Sequence, residues 1–297
     1  MCGIIGLHLR DATLHSQLGV LMSEMLSGIV VRGPDSAGVA IYGDTTRCPE
    51  GHSVVSLLGA PEDLAQKLKN HLPDSAEPHV HQVGETTTVT AALTREELLR
   101  AVRDQAAEAS VVGSGNELVV YKGVGHPQRL AEIYRLDEVI GWQGLAHTRM
   151  ATESAVNAEG CHPFSVGAGQ CLVHNGSFSN HATIRRSLRR QGVEFDSEND
   201  TEVSARFIAE RLADGDDLHE ALTQLGETFD GFYTLLVTTE QGFAVVRDRI
   251  ACKPAIVAEH PRWVAMASEF QALATLPGID EAEVFEPEPG RVYTWTR

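Results

Sequence analysis

The chain has 297 residues, 42% of them hydrophobic, enough for one large domain or two smaller ones with a buried core. Aspartate and glutamate outnumber lysine and arginine 41 to 24, and the formal net charge of −17 argues against nucleic acid and anionic membrane surfaces as partners, because no basic excess exists to neutralise phosphates. No apolar run approaches the roughly 18 residues needed to cross a bilayer.

The start shows neither the basic nor the apolar region of a secretory signal. The five cysteines (Cys2, Cys48, Cys161, Cys171, Cys252) are odd in number and form no CxxC pair. Together these features predict a cytoplasmic protein with reduced thiols.

From Cys2 to Tyr42 the pattern predicts strand, helix, loop, strand. Gly3-Ile4-Ile5-Gly6-Leu7 is an apolar strand, and "QLGVLMSEML" places Leu18, Leu21, Met22, Met25 and Leu26 at helical spacing. "RGPDSAG" is a turn-rich loop and "VAIY" a short strand. Residues 52–125 differ in composition. "SVVSLL" and "ELVVYKG" look like strands, "PEDLAQKLKNHL" like a helix opened by proline, and "TREELLRAVRDQAAEA" carries a capping box from Thr94 to Glu97. This segment reads as an inserted subdomain, which leaves 2–51 and 126–297 as the main domain.

Beyond it, "GLAHTRMAT" ends a strand, and "CLVHNG" is a strand running into an Asn-Gly turn. "NHATIRRSLRRQG" is a basic helix closed by Gly192. "SENDTEVSARFIAERL" is a helix with Asp200 at its start. The last third alternates short strands with turns.

Cys2 is the first chemical candidate. With Met1 removed it carries a thiol and a free α-amino group on one residue. An α-amine titrates near 7.7–8.0 as a rule, about where a base is useful at neutrality. An N-terminal amine then serves as the base for its own side chain, and no separate histidine is needed. The plainer alternative is a small buried hydrophobe.

Asn175 and Gly176 of "HNG" are suited to donate hydrogen bonds to a tetrahedral oxyanion; the alternative is a hairpin turn. Arg149 is suited to hold an α-carboxylate bidentately and Asp200 an α-ammonium; the alternatives are a structural ion pair and a helix N-cap. The histidines of "PHVHQ" lack a cysteine or carboxylate partner at ligand spacing, so no metal site is expected. Cys161 and His162, read as strand neighbours, point to opposite faces and form no catalytic pair.

"MCGIIG", "RGPDSAG", "HTRMAT", "HPF", "HNG", "NDTE", "FDGFYTLL", "RDRIACKP" and "ASE" follow one another in the order found in class II glutamine amidotransferases, which the chain resembles over nearly its whole length except the insertion. The resemblance implies the α+β, four-layer αββα sandwich of N-terminal-nucleophile hydrolases. It implies Cys2 as nucleophile, Asn175 and Gly176 as oxyanion hole, and Arg149 and Asp200 as grips on the glutamine backbone. It also implies Thr152 and His162 lining the pocket, and Arg32 supporting the nucleophile. Many members have an aromatic residue after the arginine of "HTR"; here it is Met150.

"LRDATLHSQLGVLMSEML" and the following "RGPDSAGVAIYG" are similar to the stand-alone amidotransferase subunit of N-methylglutamate synthase and its glutamate-synthase-like relatives. That implies glutamine or γ-glutamylmethylamide as donor and glutamate-synthase-like partner subunits. It implies no cofactor in this chain, with FMN and any iron–sulfur centre on the partners. No GxGxxG or P-loop is present. The other readings are a free-standing γ-glutamyl amide hydrolase and a non-catalytic scaffold subunit.

Overall fold

The computed structural model describes residues 2–150 and 157–297. A seven-stranded antiparallel sheet forms its centre. Its strands lie in the order Glu283–Phe285, Ile256–His260, Trp263–Ala267, Gly3–Leu9, Gln143–Arg149, Ser36–Tyr42, Leu118–Val124. The Gly3–Leu9 strand is central because it is apolar on both faces. Ile5, Leu7 and Leu9 join one core and Ile4 the other, as the two-residue period of a strand requires.

The first core lies under the Leu18–Ser27 helix, whose Leu18, Leu21, Met22, Met25 and Leu26 pack on the sheet. The second lies between this sheet and a four-stranded one, ordered Val292–Thr296, Gly242–Arg247, Gly231–Thr238, Cys171–Phe178. Gly6 lets the sheets close up. A Cβ there would stand 2.4 Å from Leu236 Cδ2 and 2.9 Å from Phe243 Cε2. A third core joins the four-stranded sheet to the helices His181–Arg190, Asp200–Ala213 and Leu218–Thr228. The result is helix, sheet, sheet, helix: an α+β, four-layer sandwich.

Residues Ser53–Gly115 build a sheet of their own from strands Ser53–Leu58, His79–Val83, Thr86–Ala91 and Ser110–Gly115. With helices Leu64–His71 and Arg95–Gln105, the chain order is βαββαβ. The sheet order runs second, third, first, fourth strand, which is the ferredoxin-like split βαβ. Val55, Leu57, Leu64, Leu68, Val89, Leu98 and Val102 form its core, and the Thr94–Glu97 capping box is present. Leu118–Val124, which the expected 52–125 segment includes, pairs with Ser36–Tyr42 at the edge of the seven-stranded sheet.

The other face of the small sheet lies on that edge strand. Ser56 Oγ accepts from the Val120 N–H at 3.1 Å. Thr86 Oγ1 accepts from the Lys122 N–H at 3.0 Å and donates to the Lys122 carbonyl at 3.1 Å. No helix among the described residues is long and apolar enough to cross a membrane.

Candidate active site

Cys2 stands half-buried, directly ahead of the central strand. Its position is fixed from three sides. The Ile4 N–H donates to Ser268 Oγ at 3.0 Å, and the Ser268 N–H returns to the Ile4 carbonyl at 2.9 Å. Arg32 Nε donates to the Cys2 carbonyl at 2.9 Å, and Asn175 Nδ2 donates to the same oxygen at 3.2 Å. Arg32 is in turn paired with Glu269. Ser268 and Glu269 belong to the "ASE" run, to which the sequence alone assigns no role.

Asn175 and Gly176 do not form the expected turn. The Cys171–Phe178 strand runs straight through them, with Asn175 opposite Thr234 and Gly176 opposite Tyr233. This strand is the open edge of its sheet. Along it, the Leu172 N–H leaves the ladder to reach the Phe164 carbonyl at 2.9 Å, and the Phe178 N–H leaves it to reach Asp200 Oδ2 at 2.9 Å. Antiparallel backbone groups alternate with period two, so the N–H of Gly176 points out of the ladder as well. The facing Tyr233 agrees, since its N–H turns away to Asp248 Oδ2 at 2.7 Å. Gly176 has φ +149°, and a Cβ there would stand 2.0 Å from the Phe232 carbonyl oxygen. Only glycine fits there. The amide of Asn175 has a second N–H besides the one given to Cys2.

Arg149 ends the Gln143–Arg149 strand. Gly3 is paired with Thr148, so the register extended by one residue brings Arg149 alongside Cys2. Its Nη1 donates to the Gly160 carbonyl at 3.5 Å. Gly33, in the loop after Arg32, lies so close that a Cβ would meet Arg149 backbone at 2.6 Å.

Asp200 is the first residue of its helix rather than the cap. Asn199 is the cap, with its side chain accepting from the Thr201 N–H, which leaves the Asp200 carboxylate for the Phe178 N–H. Thr152 lies outside the described residues. Met150 is 39% exposed beside Arg149.

His162 is buried, with Nε2 2.9 Å from Thr201 Oγ1, its ring 4.1 Å from that of His147 and 6.4 Å from that of His174. It is thus placed beneath the site. Burial pushes all three imidazoles below the ordinary histidine range, His147 to about 3 and His174 to about 4. They are neutral at physiological pH and serve as fixed polar packing. Cys161 and His162 are not strand neighbours, since residues 158–162 form turns and bends. Burial pushes the thiols of Cys48 and Cys171 up to about 12 and raises that of Cys161, which removes all three as nucleophiles.

A sequence profile described as the glutamine amidotransferase domain matches residues 147–275. The chain is 47% identical to the "Glutamine amidotransferase-like protein GlxB" of Rhizobium meliloti, over 99% of this chain and 98% of that one. It is 32% identical to a "Putative glutamine amidotransferase" of Methanothermobacter thermautotrophicus, over 99% of both chains. Among solved structures it resembles the glutamine phosphoribosylpyrophosphate amidotransferase of B. subtilis with a TM-score of 0.61 at 20% identity, covering 99% of this chain and 47% of that one. At that identity the likeness shows the fold alone, and this chain spans about half the length of that enzyme. The chain belongs to the glutamine amidotransferase family, with the N-terminal-nucleophile hydrolase fold and the amidotransferase or amidohydrolase activity of that family.

Proposed function

We propose that the protein hydrolyses the side-chain amide of glutamine at Cys2 and passes the released amine to a glutamate-synthase-like partner, of the kind that makes N-methylglutamate. One observation best supports the hydrolytic half of this reading: Asn175 and Arg32 converge on the Cys2 carbonyl while the Gly176 N–H faces the open strand edge beside them. The partner half rests on the sequence resemblance.

Arg149 takes the α-carboxylate and Asp200 the α-ammonium. The buried His162 supports the pocket from beneath through Thr201, and Thr152 keeps the pocket role that the family resemblance implies. The α-amino group of Cys2 accepts the thiol proton as sulfur attacks the amide carbon. The second Asn175 N–H and the Gly176 N–H meet the oxyanion. The C–N bond breaks as the α-ammonium group returns its proton to the departing amine. Water, deprotonated by the same amine, then cleaves the thioester and releases glutamate.

With γ-glutamylmethylamide as donor, the same steps release methylamine. One methyl in a fitted pocket is worth about 1–3 kcal/mol, or roughly 10–200-fold. The flexible thioether of Met150 leaves it room where a rigid ring would not. FMN and any iron–sulfur centre belong to the partner in this reading.

The test is turnover of glutamine and γ-glutamylmethylamide by purified protein, alone and with co-purified partners. Cys2→Ala should abolish both activities with unchanged melting temperature, and the active protein should lack Met1 by intact mass. Activity in a chain retaining Met1 would remove the amine from the mechanism. A folded protein inactive in every assembly would make it a scaffold. Strong preference for glutamine would return it to ammonia release.

A further inference from the structure

Thr201 is 1% exposed, one residue after Asp200. Its hydroxyl has three neighbours: His162 Nε2 at 2.9 Å, His174 Nδ1 at 2.9 Å and Asp200 Oδ1 at 3.4 Å. A hydroxyl gives one proton and accepts on two lone pairs. Both rings are neutral because of their burial, so each carries a single N–H.

Suppose Thr201 donates to His174 Nδ1. The ring proton must then sit on His174 Nε2, which is buried and without a hydrogen-bond partner among the described residues. Suppose instead that it donates to His162 Nε2. The proton then sits on His162 Nδ1, which is also buried and partnerless among the described residues. A buried N–H without an acceptor is rarer and worse than a bare acceptor without a donor. Among the described residues, only one arrangement leaves no orphan N–H on either of these two rings. His174 Nδ1–H and His162 Nε2–H both donate to Thr201, and Thr201 donates to Asp200.

We propose that Thr201 is a positioning residue that collects one N–H from His162 and one from His174 and gives its own proton to Asp200 Oδ1. One hydroxyl then ties together three segments that carry the site. His174 precedes Asn175, His162 follows the Arg149 strand, and Asp200 opens the helix. The carboxylate is held at both oxygens, by Thr201 at Oδ1 and by the Phe178 N–H at Oδ2. It is therefore oriented before substrate arrives, and substrate binding need not reorganise it. The link to glutamine affinity rests on Asp200 being the ammonium grip proposed above; the tautomers do not.

Two measurements test this. Nitrogen-15 NMR of the imidazoles in the wild-type protein at pH 7 should show His174 protonated on Nδ1 and His162 on Nε2. His174 protonated on Nε2, or His162 on Nδ1, overturns the arrangement whatever the activity. Thr201→Val should raise KM for glutamine about tenfold, the lower range for a hydrogen bond to a charged group, with kcat within about threefold, and Thr201→Ser should restore KM. An unchanged KM in folded Thr201→Val overturns the positioning role. If that variant does not fold, the wild-type tautomers still decide. Asp200→Asn separates the two readings, because unchanged KM in that variant with the expected tautomers intact refutes the grip and leaves the arrangement standing.

Discussion

Arg32 and Glu269 form an ion pair directly behind Cys2, and the free side of the same guanidinium holds the Cys2 carbonyl at 2.9 Å. The arginine side chain is 8% exposed and the glutamate 45%. The arginine is thus the buried member, and Glu269 aims it from the surface. A planar guanidinium reaches both targets in a fixed fork, and an ammonium does not.

Arg32→Lys should therefore lower kcat/KM about tenfold, the worth of one well-made hydrogen bond. Glu269→Gln keeps an acceptor and should cost less than about threefold, as expected for a pair with one solvated partner. Steady-state glutamine hydrolysis measures both. Equal effects from the two variants would show that the carboxylate charge matters, not the aim of the arginine.

Asn175→Ala should reduce kcat by roughly 10²–10³ with little change in KM, the usual loss for one oxyanion donor. Part of that loss will come from release of the Cys2 carbonyl, which Asn175 also holds. A variant defective only in KM would place Asn175 on the ground-state substrate rather than on the oxyanion.

Stability should fall on acidification well before ordinary carboxylates titrate. His147, His162 and His174 stay neutral in the fold, with values pushed down to about 3 for His147 and about 4 for His174. In the unfolded chain they take up protons near pH 6.5. Below that pH the unfolded state binds more protons than the native one, so unfolding becomes easier as pH drops. Each such histidine removes up to about 1.4 kcal/mol per pH unit, and the loss continues until the native value is reached. Urea midpoints measured from pH 7 to pH 4.5 should decline throughout. A flat profile across that range would mean that these rings protonate inside the fold.

Thr86 joins the ferredoxin-like unit to the main sheet by serving both backbone groups of Lys122. Thr86→Val leaves a buried N–H and a buried carbonyl unpaired, at a cost of about 1–3 kcal/mol each before relaxation. Chemical denaturation should show a loss in that range, while Thr88→Val, whose hydroxyl donates to the His81 carbonyl within the small sheet, should cost less. Equal losses would mean that the contact with Lys122 does not join the two units.

The order of the motifs was legible because each is a short run whose chemistry is carried by the residues themselves: a cysteine behind Met1, an Asn-Gly pair, an arginine at a strand end, an acid at a helix start. Some helix starts and faces followed from local rules too, as the Thr94–Glu97 capping box and the face presented by the Leu18–Ser27 helix show; the helix expected to open at Pro61 instead begins at Leu64 behind Asp63. Those signals act within a turn or two of backbone, and the sequence displays them directly.

What lay beyond it were pairings between distant residues. "HNG" has the local preference of a turn, yet it lies mid-strand because Gly231–Thr238 supplies a ladder across the whole of Cys171–Phe178. "ELVVYKG" belongs to the main sheet because Ser36–Tyr42 offered it an open edge. Glu269 reaches Arg32 from 237 residues away, and Thr201 gathers two histidines from separate segments. Strand register, layer stacking and the sharing of one hydroxyl proton are settled by the mutual burial of segments far apart in sequence. The same local residues accept several such arrangements, and only packing selects among them.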